Sequence, residues 1–244
     1  MKQMVIVLLV ALMGSALGQE SSRIRYMGFK SPDEGGAAPL EAPGDDQKFP
    51  RVIRFKDSSG KATPRQMSQT EFSPFVEVSG GKLELDFFRA TDSDDSPWVT
   101  VRLPRTGDYL ICFVRNEKGG EPTWKNPQVF VFEALKGDGS DKTSHFLNAS
   151  QFKILFRRGR ARTEGFESGM KAKLDLPKAD EDILMGLRGA DEKPRVAFQG
   201  KAGEVREGTR RYFMALGDDE DKVKILQLEE WRGRLRVLKT LGAE

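Results

Sequence analysis

The sequence predicts an all-β protein, two tandem Ig-like antiparallel sandwiches behind a cleaved leader, and three observations predict it. Short apolar or alternating runs of strand length recur along the chain, with Gly, Asp and Ser clusters between them. That spacing suits sandwiches better than parallel α/β units. A hairpin at residues 211–231 (RYFMALGDDEDKVKILQLEEW) has an earlier copy at 109–135. Two further echoes fall in the same order, Ser79-Gly80-Gly81-Lys82 with Ser168-Gly169-Met170-Lys171 and Pro97-Trp98-Val99 with Pro194-Arg195-Val196. Repetition in one order is the signature of a tandem repeat.

In the later hairpin, Arg211, Phe213 and Ala215 share one parity and Tyr212, Met214 and Leu216 the other. Apolar residues dominate both faces, as in a strand near the middle of a packed sandwich. Gly217-Asp218-Asp219-Glu220-Asp221 forms a turn whose short polar side chains satisfy local backbone groups. The return strand is 223–228; KILQLEEW also fits a helical period, but its β-branched content and the acidic turn favour a strand. The earlier copy pairs 109–114 with 212–217 and 129–133 with 223–227.

Taken in order, residues 1–18 read as a secretory signal peptide. Lys2 supplies the positive end, 4–13 the apolar run, and Ala16 and Gly18 the small residues before the cut. The run is shorter than the roughly 20 apolar residues that span a bilayer, and no later segment has the run to cross as a helix. The mature chain is therefore expected to be exported, periplasmic or extracellular. A first strand at 22–28 precedes a Gly/Pro/Ala/Asp-rich loop at 31–50. Strands follow at 51–55, 75–78 and 82–88, the last two joined by the tight turn Ser79-Gly80-Gly81. Leu83, Leu85 and Phe87 alternate with Lys82, Glu84 and Asp86, the half-buried pattern of an antiparallel sheet. Another strand covers 98–103, before the first hairpin and its long connection 116–126, which carries Trp124. The polar junction 137–143 divides a domain at 19–136 from one at 143–231. In the second domain the strands are 144–149, 151–158, 170–176, 183–188 and 195–199, before its hairpin. The tail, 232–244, holds Leu235, Val237, Leu238 and Leu241 and reads as one more strand or a short helix.

Composition narrows the chemistry. With 38% hydrophobic and 32% charged residues the chain has a packed core and polar loops. A net charge of +3 gives no global argument for nucleic acid, which demands a basic surface. The single cysteine, Cys112, excludes an internal disulfide and a cysteine zinc cluster, and reads as a small buried side chain. The single histidine, His145, excludes a His-rich metal site and lies at a strand start with no Gly-x-Ser-x-Gly. Glycosidases need only two flanking carboxylates, yet the acids here cluster in turns and no pair stands out. Three acidic turns, at 92–95, 138–141 and 218–221, offer oxygen ligands without the alternation of a calcium loop. The expectation is no catalytic residue, no metal and no cofactor.

Two features suggest contact. Phe152, Ile154 and Phe156 are followed on the same parity by Arg158, Arg160 and Arg162. If the strand continues, the arginines project past the sheet as a clamp for carboxylate, sulfate or phosphate groups; alternatively they protect an edge against strand addition. Trp124, beside Pro122 and Lys125, is either a contact residue in a loop or a cap on the sandwich. Asn148-Ala149-Ser150 is formally a glycosylation sequon and is given no weight.

The stretch 144–150 (SHFLNAS), followed by a basic strand and Glu167-Ser168-Gly169, resembles the small exported β-sandwich repeats of uncharacterised bacterial envelope proteins, over residues 144–231. The resemblance implies a secreted or periplasmic module and transfers no catalytic residue. The expected function is a non-enzymatic binding or scaffolding protein of the cell envelope, contacting a protein or an acidic polysaccharide. The alternative is carbohydrate binding or hydrolysis on an open sheet face.

Overall fold

The computed structural model describes residues 21–29, 48–69, 71–78, 83–93, 96–116, 123–134, 143–175, 179–188, 193–205, 208–217, 223–231 and 234–241. The leader, most of the 31–50 loop, the 79–81 turn, most of the 137–143 junction and much of the acidic turns lie outside them. Every regular element among the described residues is a strand, so the all-β expectation holds. No described helix is long and apolar enough to cross a membrane.

The first sandwich comprises β1 (Ser22–Phe29), β2 (Val52–Lys56), β3 (Ala62–Gln66), β4 (Val76–Val78), β5 (Glu84–Arg89), β6 (Val99–Arg102), β7 (Asp108–Asn116) and β8 (Thr123–Glu133). Its inner sheet has the order β4-β1-β7-β8 and its outer sheet β3-β2-β5-β6. The second comprises β9 (Thr143–Asn148), β10 (Lys153–Arg158), β11 (Glu164–Phe166), β12 (Lys171–Asp175), β13 (Asp182–Arg188), β14 (Pro194–Lys201), β15 (Thr209–Leu216), β16 (Lys224–Trp231) and β17 (Arg234–Leu241). Its sheets run β12-β9-β15-β16-β17 and β11-β10-β13-β14. Adding eight to each label of the first sandwich yields the second, with β17 as the one extra strand. Both repeats carry one parallel pair, β1 with β7 and β9 with β15, and are otherwise antiparallel. The C-terminal segment is thus a strand, paired to β16, and belongs to the second sandwich.

The repeat register corrects one detail of the sequence alignment. Ile24 lies opposite Tyr109 in the first parallel pair and Ser144 opposite Arg211 in the second. Tyr109 points into its own sandwich core, whereas Tyr212 points out of its own. The residue matching Tyr109 is therefore Arg211, not Tyr212. A one-residue slip reverses every side chain of a strand, and both faces here are apolar, so hydrophobicity alone could not set the register.

Each sandwich has its own core. Tyr26, Phe55, Phe87, Phe113, Trp98 and Trp124 form the aromatic centre of the first. Phe146, Phe156, Phe166 and Phe213, with Ile154, Met185 and Ile225, fill the second. A third cluster lies between them, and it explains the two-sided apolar strands. Met27, Phe29, Leu110, Cys112, Val114, Phe130 and Phe132 leave the first inner sheet on the side away from its core. They meet Leu147, Ala149, Tyr212, Met214, Leu216, Leu226 and Leu228 from the second. The inner sheets pack back to back, giving four stacked β-layers with one apolar seam. Each large apolar side chain so buried contributes roughly 1.5–3 kcal/mol, and β15 is buried at every position.

Candidate functional site

Strand β10 stops at Arg158, because Gly159 turns the chain with φ +50, in the left-handed region that favours glycine. Arg160 and Arg162 therefore sit exposed in the turn before β11 and do not continue the strand alternation. Arg158 is held in place. Its Nη1 donates to the Asp175 carbonyl at 3.2 Å, and its Nε lies 3.5 Å from Glu181 Oε1. The three arginines are not one row: Arg158 fastens the β10 end to its neighbours while Arg160 and Arg162 face solvent.

Trp124 lies on β8 rather than in a loop, and its side chain is 1% exposed. Its ring meets Phe49 edge-on at 5.1 Å, and its carbonyl accepts the Trp98 Nε1 proton at 2.5 Å. Of the two readings, the structure places it in the first core, out of reach of a partner. Cys112 is buried in the seam, where loss of hydration pushes its thiol up to about 12.

The short SHFLNAS motif proves to be a corner. Asn148 is fully buried. Its Nδ2 donates to the carbonyls of Phe152 and Phe166 at 2.7 and 2.8 Å, and its Oδ1 accepts from Ser150 N and Oγ at 3.1 and 2.6 Å. Ser168 Oγ donates to the Ser150 carbonyl at 2.6 Å, and Gly169 N to the Asn148 carbonyl at 2.7 Å. The sequon asparagine is thus a structural pin with no atom left for a glycan in the folded chain.

An open surface with binding geometry lies elsewhere, on the outer face of the second sandwich. Ile154 and Phe156 of β10 point into the core, so Lys153 and Leu155 point outward. Strand pairing then aligns Gly165, Leu155, Gly186 and Val196 in one row across four strands, and Lys153, Arg188 and Pro194 in the next. Two glycines in the apolar row keep the sheet surface low, and the Lys153 stem lies over Gly165, where a Cβ would meet its Cε at 2.7 Å. Gly186 tolerates nothing larger: a Cβ there would lie 2.7 Å from the Arg195 carbonyl oxygen, at the irregularity between Met185 and Gly186. The result is a groove of about 540 Å³, within the size range of ligand clefts. Lys153, Arg188 and Arg195 line it together with Leu155, Leu184 and Val196, and no described carboxylate or aromatic residue does. Lys153 also pairs with Glu167 across the β10–β11 hairpin. Thr163, directly after Arg162, lines the groove, so the exposed arginine turn runs into its wall.

Sequence reasoning missed this groove. The signal available was Gly186 inside the strand read at 183–188, which marks a close approach or a bulge; Gly165 gave none, because β11 was not read as a strand. His145 sits on β9 facing the seam, stacked on Tyr212 at 5.5 Å and edge-on to Phe132 at 5.1 Å. Among the described residues no cluster of His, Cys, Asp and Glu could hold a metal ion. No protein-family model and no curated protein sequence matches the chain.

Proposed function

We propose that this is an exported, non-enzymatic binding protein whose second sandwich holds an acidic, extended segment of an envelope or extracellular protein. The observation that supports this reading is the groove, with cations beside aliphatic side chains. Electrostatic complementarity selects an acidic partner. Carbohydrate sites stack sugars on aromatic platforms, and the lining here is aliphatic and cationic, which favours polypeptide over polysaccharide. Strand β14 adds a second reason. It ends its sheet, its other edge paired with no strand among the described residues, and Val196 is 62% exposed on it. An incoming extended chain can pair with such an edge while its acidic side chains reach the basic lining.

The test is titration of residues 19–244 with poly-glutamate and, separately, with polygalacturonate, at low and high salt. Poly-glutamate is expected to bind, weakening as salt rises. Replacing Lys153, Arg188 and Arg195 together by Glu should weaken it at least about tenfold, on the scale of lost charge-assisted hydrogen bonds. Replacing Arg158, Arg160 and Arg162 by Ser measures what the turn adds. Binding of polygalacturonate alone, or poly-glutamate binding that survives both triple replacements, would reject the reading.

A further inference from the structure

A second recess opens at the rim of the seam, where the two sandwiches meet, and its chemistry differs from that of the outer groove. Pro104, Tyr109, Val131, Phe132 and Glu133 come from the first sandwich; His145, Lys171, Ala172, Lys173 and Arg210 come from the second. Its volume is about 340 Å³, enough for a small molecule, and domain boundaries are favoured places for such sites.

The charges in this recess are unevenly matched. Arg105 Nη2 binds Glu133 Oε1 at 2.7 Å, which occupies the one lining carboxylate. Arg210 donates from Nη1 to the Glu133 carbonyl, and stands opposite Glu230 in the β15–β16 pair. Lys171 and Lys173 remain, side by side on the seam face of β12, with Lys173 opposite His145. The Lys171 ammonium reaches across the seam to the Val131 carbonyl and lies 5.3 Å from the Phe132 ring centre. Those are a neutral acceptor and a π-face, not a carboxylate in contact. Burial pulls its pKa below the usual lysine value, only partly opposed by Glu133. An ammonium has three donors, and the structure shows one acceptor for it. Phe132, Val131 and Pro104 supply the apolar part of the lining beside it.

We infer that the seam recess is a binding site for a small organic carboxylate carrying a flat apolar body. The carboxylate meets Lys171 and Lys173, and the apolar body lies against Phe132 beside the His145 ring. Such a ligand supplies the opposite charge that no carboxylate in contact gives the Lys171 ammonium, and it touches both sandwiches at once. This inference is independent of the outer groove and shares no residue with it.

His145 is the only histidine, so its imidazole NMR signals report on this recess alone. Titration of residues 19–244 with 2-naphthoate should shift those signals saturably. The affinity should be at least about tenfold tighter than for acetate, inorganic phosphate or uncharged 2-naphthol, the discrimination expected of one charge-assisted contact plus an apolar surface. Lys171→Met keeps the aliphatic stem and should weaken naphthoate about tenfold, and Lys173→Met less. Equal weak shifts from every anion would overturn the site, as would naphthol binding as tightly as naphthoate. Undiminished binding in a folded Lys171→Met protein would also overturn it. Should Lys171→Met fail to fold, the naphthoate-to-naphthol ratio on the unaltered protein decides by itself.

Discussion

The outer sheets of the two sandwiches occupy matching places in the repeat and present opposite surfaces. On the first, Arg102 Nε binds Glu84 Oε1 at 2.5 Å and Thr100 Oγ1 donates to Asp86 Oδ1 at 2.6 Å, each across the β5–β6 pair. The Arg54 guanidinium stacks over Phe88, its neighbour across β2 and β5, at 5.9 Å. One ion pair, one hydroxyl–carboxylate bond and one cation–π contact tie these strands together, and no glycine interrupts β2, β3, β5 or β6. On the second, the corresponding face has glycine at two positions of one row and cations in the next. One scaffold thus yields a wall of side chains on one face and a glycine-bearing, cation-lined groove on the other, and the difference lies in a handful of outward residues that the core does not constrain.

The same contrast appears inside. Gly28 faces Phe113 in β1–β7 register, and Asn148 faces Ala215 in β9–β15 register, so the two are equivalent positions. In the first sandwich the space over Gly28 is filled by the Phe49 ring, which a Cβ would meet at 2.3 Å. In the second, Asn148 fills it and is satisfied on both amide ends. Replacing Asn148 by Ala should cost the most, roughly 3–5 kcal/mol, because several buried partners lose their bond together. Urea unfolding measures it, and a cost under about 1 kcal/mol would mean water replaces the amide. Gly28→Ala should cost less, about 1–3 kcal/mol by overpacking against Phe49. If it proved the costlier change, the Phe49 ring over Gly28 would be the more rigid of the two fillings.

The outer sheets give smaller effects and sharper ones. Lys153→Glu with Arg195→Glu should change unfolding by at most about 1 kcal/mol, the scale of a surface ion pair such as Lys153–Glu167, while poly-glutamate affinity falls. Glu84→Lys with Asp86→Lys makes the first wall cationic without giving it a groove. Calorimetry should find no new poly-glutamate site there, and a new site would show that charge alone suffices. Smallest of all, Arg102→Ala should change stability by under about 0.5 kcal/mol, since its pair with Glu84 is exposed.

Much of the architecture was legible because strand length, alternation and turn residues agree along the chain. Two strands were not. β3, with Pro64 in its centre, and β11, three residues long, are edge strands at the same place in each repeat. Edges need little apolar alternation, so they leave little pattern to read. Trp124 looked like a loop residue because Pro122 and Lys125 flank it, yet β8 begins at Thr123 and turns the indole inward. The arginine parity from Arg158 to Arg162 was real in the sequence but ended at Gly159, whose backbone conformation no parity count reveals. The seam was visible only as strands apolar on both faces, a pattern equally consistent with the middle of one sandwich.

Cys112 sits in that seam, among Leu110, Val114 and the facing side chains of the second inner sheet. It is the only thiol in the chain, and it is both shielded and held protonated at neutral pH. The molecule therefore carries its own gauge of how often its halves part. A maleimide or disulfide reagent can reach the sulfur only when the sheets separate or unfold, so the labelling rate in native buffer reports that opening free energy. Any occupant that bridges the two halves would slow this clock, and one that binds a single outer face would leave it running at the same pace.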